Sequence, residues 1–335
     1  MNYKDALQRY KNLNELYEFT ADKLRQLRQD IDKIFKGSEY KDKVTIVAAG
    51  SFGRMEASPE SDLDVYILFD SDRDAQDVIP TELEQLQNCI SKHVPKEAGD
   101  TGTFGPNAYI RFSELLSNIG GANDSNELMT RRLLFLLEGT WLFGKERFNR
   151  YRRELLERYV NETDGDFKIP RFLLNDIIRY YRTITTDFEH KVTDGQKSWG
   201  LRQVKLRFSR KALYFGGIIA VAQATDVTRD NRLNELERWF ELPGLERLHS
   251  AAQAAPKEAL NTLAIEVLEL YEAFLAVVSD PEKREILNNL DRIDRNECAA
   301  YTGLRAKADQ LTHCLDQWLK TAYRADHPIH HALIF

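Results

Sequence analysis

The chain has 335 residues, 42% of them hydrophobic and 30% charged, with a formal net charge of −6. Length and balance mark a globular protein of about two domains, at roughly 150 residues each. The mild acidity argues against bulk electrostatic binding to nucleic acid or to a membrane surface. Cys89, Cys298 and Cys314 are scattered without metal spacing, an odd and sparse set that fits a reducing compartment and no disulfide framework. The start, MNYKDALQRY, is polar and carries no signal-peptide pattern. The longest apolar run, Ala212 to Ala222, is interrupted by Gly216 and Gly217 and is too short to span a bilayer. A cytoplasmic protein with no membrane partner is expected.

Residues 4–36 predict one long helix, with Leu13, Thr20, Leu27 and Ile34 interleaved with Tyr17, Leu24 and Ile31 at near-heptad spacing. It either braces the domain that follows or pairs with a partner as a coiled coil. After the breaker GSEYKD, VTIVAA reads as a buried strand ending at Gly50. SFGRME reads as a first helical turn, LDVYILF as a second strand and SDRDAQDVIP as a loop. Thr81 to His93 predicts a helix with the stripe Leu83, Leu86, Ile90 and Pro80 near its start. A Gly/Pro-rich loop and a short strand, AYIRF, complete a small α/β unit. From about Asn126 onwards helical periodicity dominates, including the run RRLLFLLEGTWLF. The expected division is a bracing helix over 1–38, an α/β core over 39–125 and a helical domain over 126–335. The expected fold class is α+β, a small mixed sheet between a long N-terminal helix and a larger helical domain.

The chemistry is concentrated in GSFGRMEASPESDLDVYILFD, residues 50–70. Asp62 and Asp64 are two apart at the start of a strand, so both leave the same face. Two carboxylates so placed repel unless a cation sits between them, and Mg²⁺ is typically held by one or two carboxylates plus substrate phosphates. Gly50 allows close backbone approach to a ligand, and Ser51 at a helix start offers a hydroxyl and free N–H groups to a phosphate. The plainer alternative is that SPESD is a turn and both aspartates are solvated.

The stretch resembles the signature of the DNA polymerase beta nucleotidyltransferase superfamily, a Gly-Ser followed about ten residues later by Asp-x-Asp. GRME and SDLD are most similar to the branch of protein uridylyltransferases and adenylyltransferases of nitrogen regulation. The resemblance implies that Gly50, Ser51 and Arg54 bind a nucleoside triphosphate. It also implies that Asp62 and Asp64 ligate two Mg²⁺ (or Mn²⁺) ions serving in-line displacement. A third carboxylate usually lies on a later strand. NAYIRF has none, which leaves Asp100, Glu114 and Asp124, with Asp100 preferred.

In the helical half, Lys205, Arg207 and Lys211 share a helix with Tyr214, and Arg207 and Lys211 are i,i+4 neighbours. They are candidates for clamping phosphates, or else an ordinary solvated face. The activity expected is transfer of NMP from an NTP to a hydroxyl on a protein, an RNA or a small molecule, with pyrophosphate released. The alternatives are a cyclic-oligonucleotide synthase, or a catalytically degenerate nucleotide-binding sensor or interaction protein.

Overall fold

The computed structural model describes residues 2–96, 108–160, 165–193, 199–255 and 257–334. The chain divides into two compact units. One comprises Leu16–Asp164 and Leu236–Pro243; the other comprises Met1–Glu15, Gly165–Glu235 and Gly244–Phe335.

The expected single N-terminal helix is two helices, α1 (Tyr3–Leu7) and α2 (Lys11–Phe35). The reason lies far away in sequence. The Glu272 carboxylate accepts hydrogen bonds from the backbone N–H of Asn12 and of Leu13, both at 2.8 Å. Those donors would otherwise lack partners at a helix start, so a carboxylate there fixes where α2 begins.

The sheet follows in short strands. β1 (Val44–Ala48) leads into the one-turn helix α3 (Gly50–Gly53), and β2 (Val65–Phe69) returns antiparallel, with Ala48 opposite Val65. The segment read as a loop holds α4 (Ala75–Val78), capped by Asp74, whose side chain accepts from the N–H of Gln76 at 2.9 Å. α5 (Pro80–His93) starts with proline at its first position, where the missing N–H costs nothing. β3 (Tyr109–Ile110) pairs parallel with β2 and is followed by α6 (Phe112–Leu116) and α7 (Asn126–Leu137).

RRLLFLLEGTWLF is not one helix, contrary to its helical periodicity. α7 stops at Leu137, the chain turns at Glu138 and Gly139, and β4 (Thr140–Phe143) pairs antiparallel with β1. A run this apolar satisfies the helical and the strand period equally, and only the vacant edge of β1 selects the strand. α8 (Lys145–Tyr159) packs against β1 and β4. The sheet order is β3-β2-β1-β4. Every residue of β1 and β2 is buried, which is why VTIVA and VYILF read as continuous apolar runs rather than alternating ones. One face of the sheet carries the buried stripes of α2 (Leu24, Leu27, Ile31, Phe35) and α5 (Leu83, Leu86, Ile90).

The second unit is helical. It contains α9 (Arg171–Thr193), α10 (Gly200–Lys205), a π-helical turn at Leu206–Arg210 and α11 (Lys211–Gln223). Then come α12 (Arg229–Glu241, shared between the units), α13 (Gly244–Ala254) and α14 (Glu258–Val278). α15 (Pro281–Asn288), α16 (Ala299–Ala322) and α17 (Pro328–Ala332) close the chain. α11 is apolar all round and buried from Leu213 to Ala222 save for Tyr214, so the longest apolar run of the sequence is a core helix. No helix of the described residues is long and apolar enough to cross a membrane.

Candidate active site

The C-terminal end of β1, the N-terminal end of β2 and the start of β4 meet at one end of the sheet. There the backbone N–H of Ala49 donates to the carbonyl of Asp64 at 2.8 Å, extending the ladder one step beyond β2. Asp62 and Asp64 therefore lie in the extended lead-in to β2 rather than inside it. They are half-buried, while Ser61, Leu63 and Val65 are buried. This alternation sends both carboxylates to one side and anchors the chain between them on the other.

Gly50 sits directly against this pair. Its φ of +65° is in the left-handed region, and a Cβ placed there would lie 2.3 Å from Asp64 Oδ2. Glycine is thus required twice, for its backbone conformation and for the closeness of the carboxylate. Gly53, three residues on, is pressed against the backbone of Glu138, whose carbonyl oxygen would be 1.9 Å from an added Cβ. Two glycines in one turn of helix let α3 settle between the Asp-x-Asp segment and the α7–β4 turn.

Glu138 is a member of this corner that the sequence did not reveal. Its buried carboxylate accepts from the N–H of Gly50 at 2.9 Å and from the Arg54 guanidinium at 2.5 Å. Arg54 also donates to Glu56 at 2.5 Å, and its side chain is only 11% exposed, so the pairing is shielded from water. Arg54 is therefore held by two carboxylates. Glu56 and Glu138 thus join Asp62 and Asp64 at this corner, and carboxylates grouped in this way favour a bound cation. Glu138 lies 84 residues beyond Arg54 in the chain. In sequence it is simply the acid that ends an apolar run.

The remaining expected residues are distributed as follows. Ser51 is half-buried on α3 beside Gly50. Asp100 lies outside the described residues. Asp124 is engaged elsewhere: it is buried and takes Arg132 bidentately at 2.9 and 3.1 Å, while Arg132 also donates to the Tyr159 hydroxyl at 2.7 Å. Glu114 is exposed in the first turn of α6. Lys205, Arg207 and Lys211 belong to the helical unit. The π-helical turn falls between Lys205 and Lys211, and both Arg207 and Lys211 reach α16, pairing with Asp309 and Thr312. Burial lowers the pKa of Lys211, helped by the nearby Arg207 charge. Tyr214 stacks on Tyr181 with ring centroids 4.6 Å apart. Arg207 also lines a polar cavity of about 330 Å³ together with Arg292, Arg295 and Arg305.

Residues 24–117 match the family model of the nucleotidyltransferase domain. The match covers the C-terminal half of α2, the β1–α3–β2 segment with its Gly-Ser and Asp-x-Asp, and β3. It supports transfer of a nucleotidyl group in general, with a nucleoside triphosphate as donor. No curated protein matches the chain.

Proposed function

We propose that the protein transfers NMP from an NTP to an acceptor hydroxyl and releases pyrophosphate, with Asp62 and Asp64 holding divalent cations. The observation that carries this reading is the closeness of Gly50 to Asp64, which sets the Gly-Ser turn against one of the two co-facing carboxylates. The donor set fits the ions: both side chains offer oxygen only, and both are half-buried on one side of the chain. When bound, such ions supply charge neutralisation for the attacking and leaving oxygens of an in-line displacement.

The chain's own residues prepare that displacement. The N–H of Gly50 is committed to Glu138, so Ser51 is left as the residue of this turn whose hydroxyl can meet a phosphate oxygen. Arg54, held between Glu56 and Glu138, fixes the turn and offsets part of the charge that the aspartates gather. Asp62 and Asp64 are kept in position by the buried anchors Leu63 and Val65 and by the Ala49–Asp64 backbone bond. In this reading the acceptor is a protein, an RNA or a small molecule, and Asp100 is the carboxylate that takes the acceptor proton.

One observation favours a second reading, a nucleotide-binding sensor without turnover: β3, the strand beside β2, carries no acid. A single experiment separates the two. The full chain is incubated with each α-labelled NTP and Mg²⁺ or Mn²⁺, with and without cell lysate, beside Asp62→Ala and Asp64→Ala. Label transfer and pyrophosphate release by the wild type, lost in both folded variants, is the expected result. A cyclic product formed without lysate would identify a second nucleotide as the acceptor. Nucleotide binding with no transfer under any condition would overturn the proposal in favour of the sensor.

A further inference from the structure

Away from the Gly-Ser corner, three chemically different side chains converge between α2 and α5. Cys89 and His93 are four residues apart on α5 and so share a face one turn apart. Asp30 of α2 meets them: its Oδ2 lies 2.9 Å from His93 Nε2, and its Oδ1 accepts from Lys33 Nζ at 2.7 Å. One ligand atom from each of Asp30, Cys89 and His93 lies within 4.8 Å of the other two. The His93 side chain is 10% exposed and Cys89 is half-buried, so the cluster is sheltered yet reachable from solvent. None of the three touches Asp62, Asp64 or the Gly50 turn in any contact described above.

We propose that Asp30, Cys89 and His93 bind one divalent transition-metal ion, Zn²⁺ by preference, with solvent in the fourth position, and so tie α2 to α5. A thiolate, an imidazole and a carboxylate form a borderline-soft set suited to Zn²⁺, in contrast to the all-oxygen pair at Asp62 and Asp64. The fit requires only small movements. Tetrahedral Zn²⁺, with bonds of about 2.0–2.3 Å, separates its ligand atoms by about 3.3–3.7 Å. Asp30 and His93 must open by about 0.4 Å, and the thiol must close by about 1.3 Å at most.

The ion's two positive charges match the one negative charge each of the Asp30 carboxylate and the Cys89 thiolate, and Lys33 adds one positive charge beside Oδ1. The Asp30 carboxylate already faces a cation, accepting from Lys33 Nζ at 2.7 Å. The thiol proton leaves to solvent as the sulfur lone pair binds the ion, and His93 binds as neutral imidazole through Nε2. Lys33 keeps Oδ1, which leaves Oδ2 as the single ligand atom of Asp30.

Cobalt tests this directly, because a thiolate-to-cobalt charge-transfer band reports sulfur ligation and intense visible bands report tetrahedral geometry. The reduced full chain is stripped of metal and titrated with Co²⁺ in excess Mg²⁺, which occupies carboxylate-only sites. Five proteins are compared: wild type, Asp62→Ala/Asp64→Ala, Cys298→Ser/Cys314→Ser, Cys89→Ser and, for affinity, His93→Ala. The expected result is a band saturating at one equivalent in the first three, absent in Cys89→Ser, and bleached by one equivalent of Zn²⁺. Affinity should fall at least about tenfold in His93→Ala. No band in the folded wild type overturns the proposal, as does a band that survives in Cys89→Ser. If Cys89→Ser does not fold, Cys298→Ser/Cys314→Ser decides alone, since Cys89 is then the one cysteine left: loss of the band there overturns the proposal. Loss only in Asp62→Ala/Asp64→Ala would move the ion to the active-site corner and also overturn it.

Discussion

Adding a single methyl group at Gly50 tests the geometry on which the active-site reading rests. In Gly50→Ala the new Cβ meets two separate penalties. The first is the left-handed backbone, φ +65°, which costs an L-residue about 1–2 kcal/mol. The second is the contact at 2.3 Å with Asp64 Oδ2, which must open by about 1 Å and costs about 1–3 kcal/mol as overpacking. Together they destabilise the sheet unit by about 3 kcal/mol. At a urea m-value of about 2 kcal/mol per M this lowers the denaturation midpoint by about 1.5 M. The penalties separate in an Asp64→Ala background, where the carboxylate is gone and only the backbone penalty of about 1–2 kcal/mol remains. The four proteins of this cycle should show a coupling of about 1–2 kcal/mol between positions 50 and 64. Gly37→Ala is the internal control: an added Cβ there has no neighbour within 4 Å and its φ is not left-handed. It should change stability by less than about 1 kcal/mol, in the stabilising direction. Additivity of Gly50→Ala and Asp64→Ala within about 0.5 kcal/mol would refute the close approach of the turn to the carboxylate. The assignment of one joint site would go with it.

Two further perturbations extend the test. Glu138→Gln keeps an oxygen for the Gly50 N–H and loses only the charge opposite Arg54, for about 1–2 kcal/mol. Glu138→Leu takes the acceptor from the Gly50 N–H and one of two carboxylates from Arg54 and should cost about 3 kcal/mol in the same denaturation assay; equal effects would remove Glu138 from its positioning role. In the helical unit, burial holds the His249 imidazole below its ordinary 6.5, with its ring against Tyr3. The unfolded chain then binds the extra proton first. Stability should be full above pH 6.5 and fall as the pH drops towards the depressed folded value, at no more than about 1.4 kcal/mol per pH unit. Thermal unfolding of wild type and His249→Phe from pH 7.5 to 5.5 checks this, and an unchanged pH slope in the variant would contradict it.

The sequence by itself determined the parts of this protein whose information is local. Unbroken apolar runs of four to six residues mark strands buried on both faces. Pro80 and the stripe Leu83, Leu86, Ile90 mark α5, and Gly-Ser followed by Asp-x-Asp marks a segment within the matched nucleotidyltransferase region, where alternation along an extended chain alone sends Asp62 and Asp64 to one side. The tertiary structure decided what depends on partners distant in the chain. TWLF becomes β4 only because β1 offers it a free edge. α2 begins at Lys11 because Glu272, some 260 residues away, caps its first N–H groups. Glu138 acquires its position by reaching back to Gly50 and Arg54. Asp30 gains meaning as a possible ligand only beside Cys89 and His93, whose own i,i+4 spacing is local but needs a third group from another helix. Hydrophobic period and turn chemistry are properties of neighbours in the chain and can be read from it. Caps, buried ion pairs and ligand sets are juxtapositions, and they exist once the chain has folded.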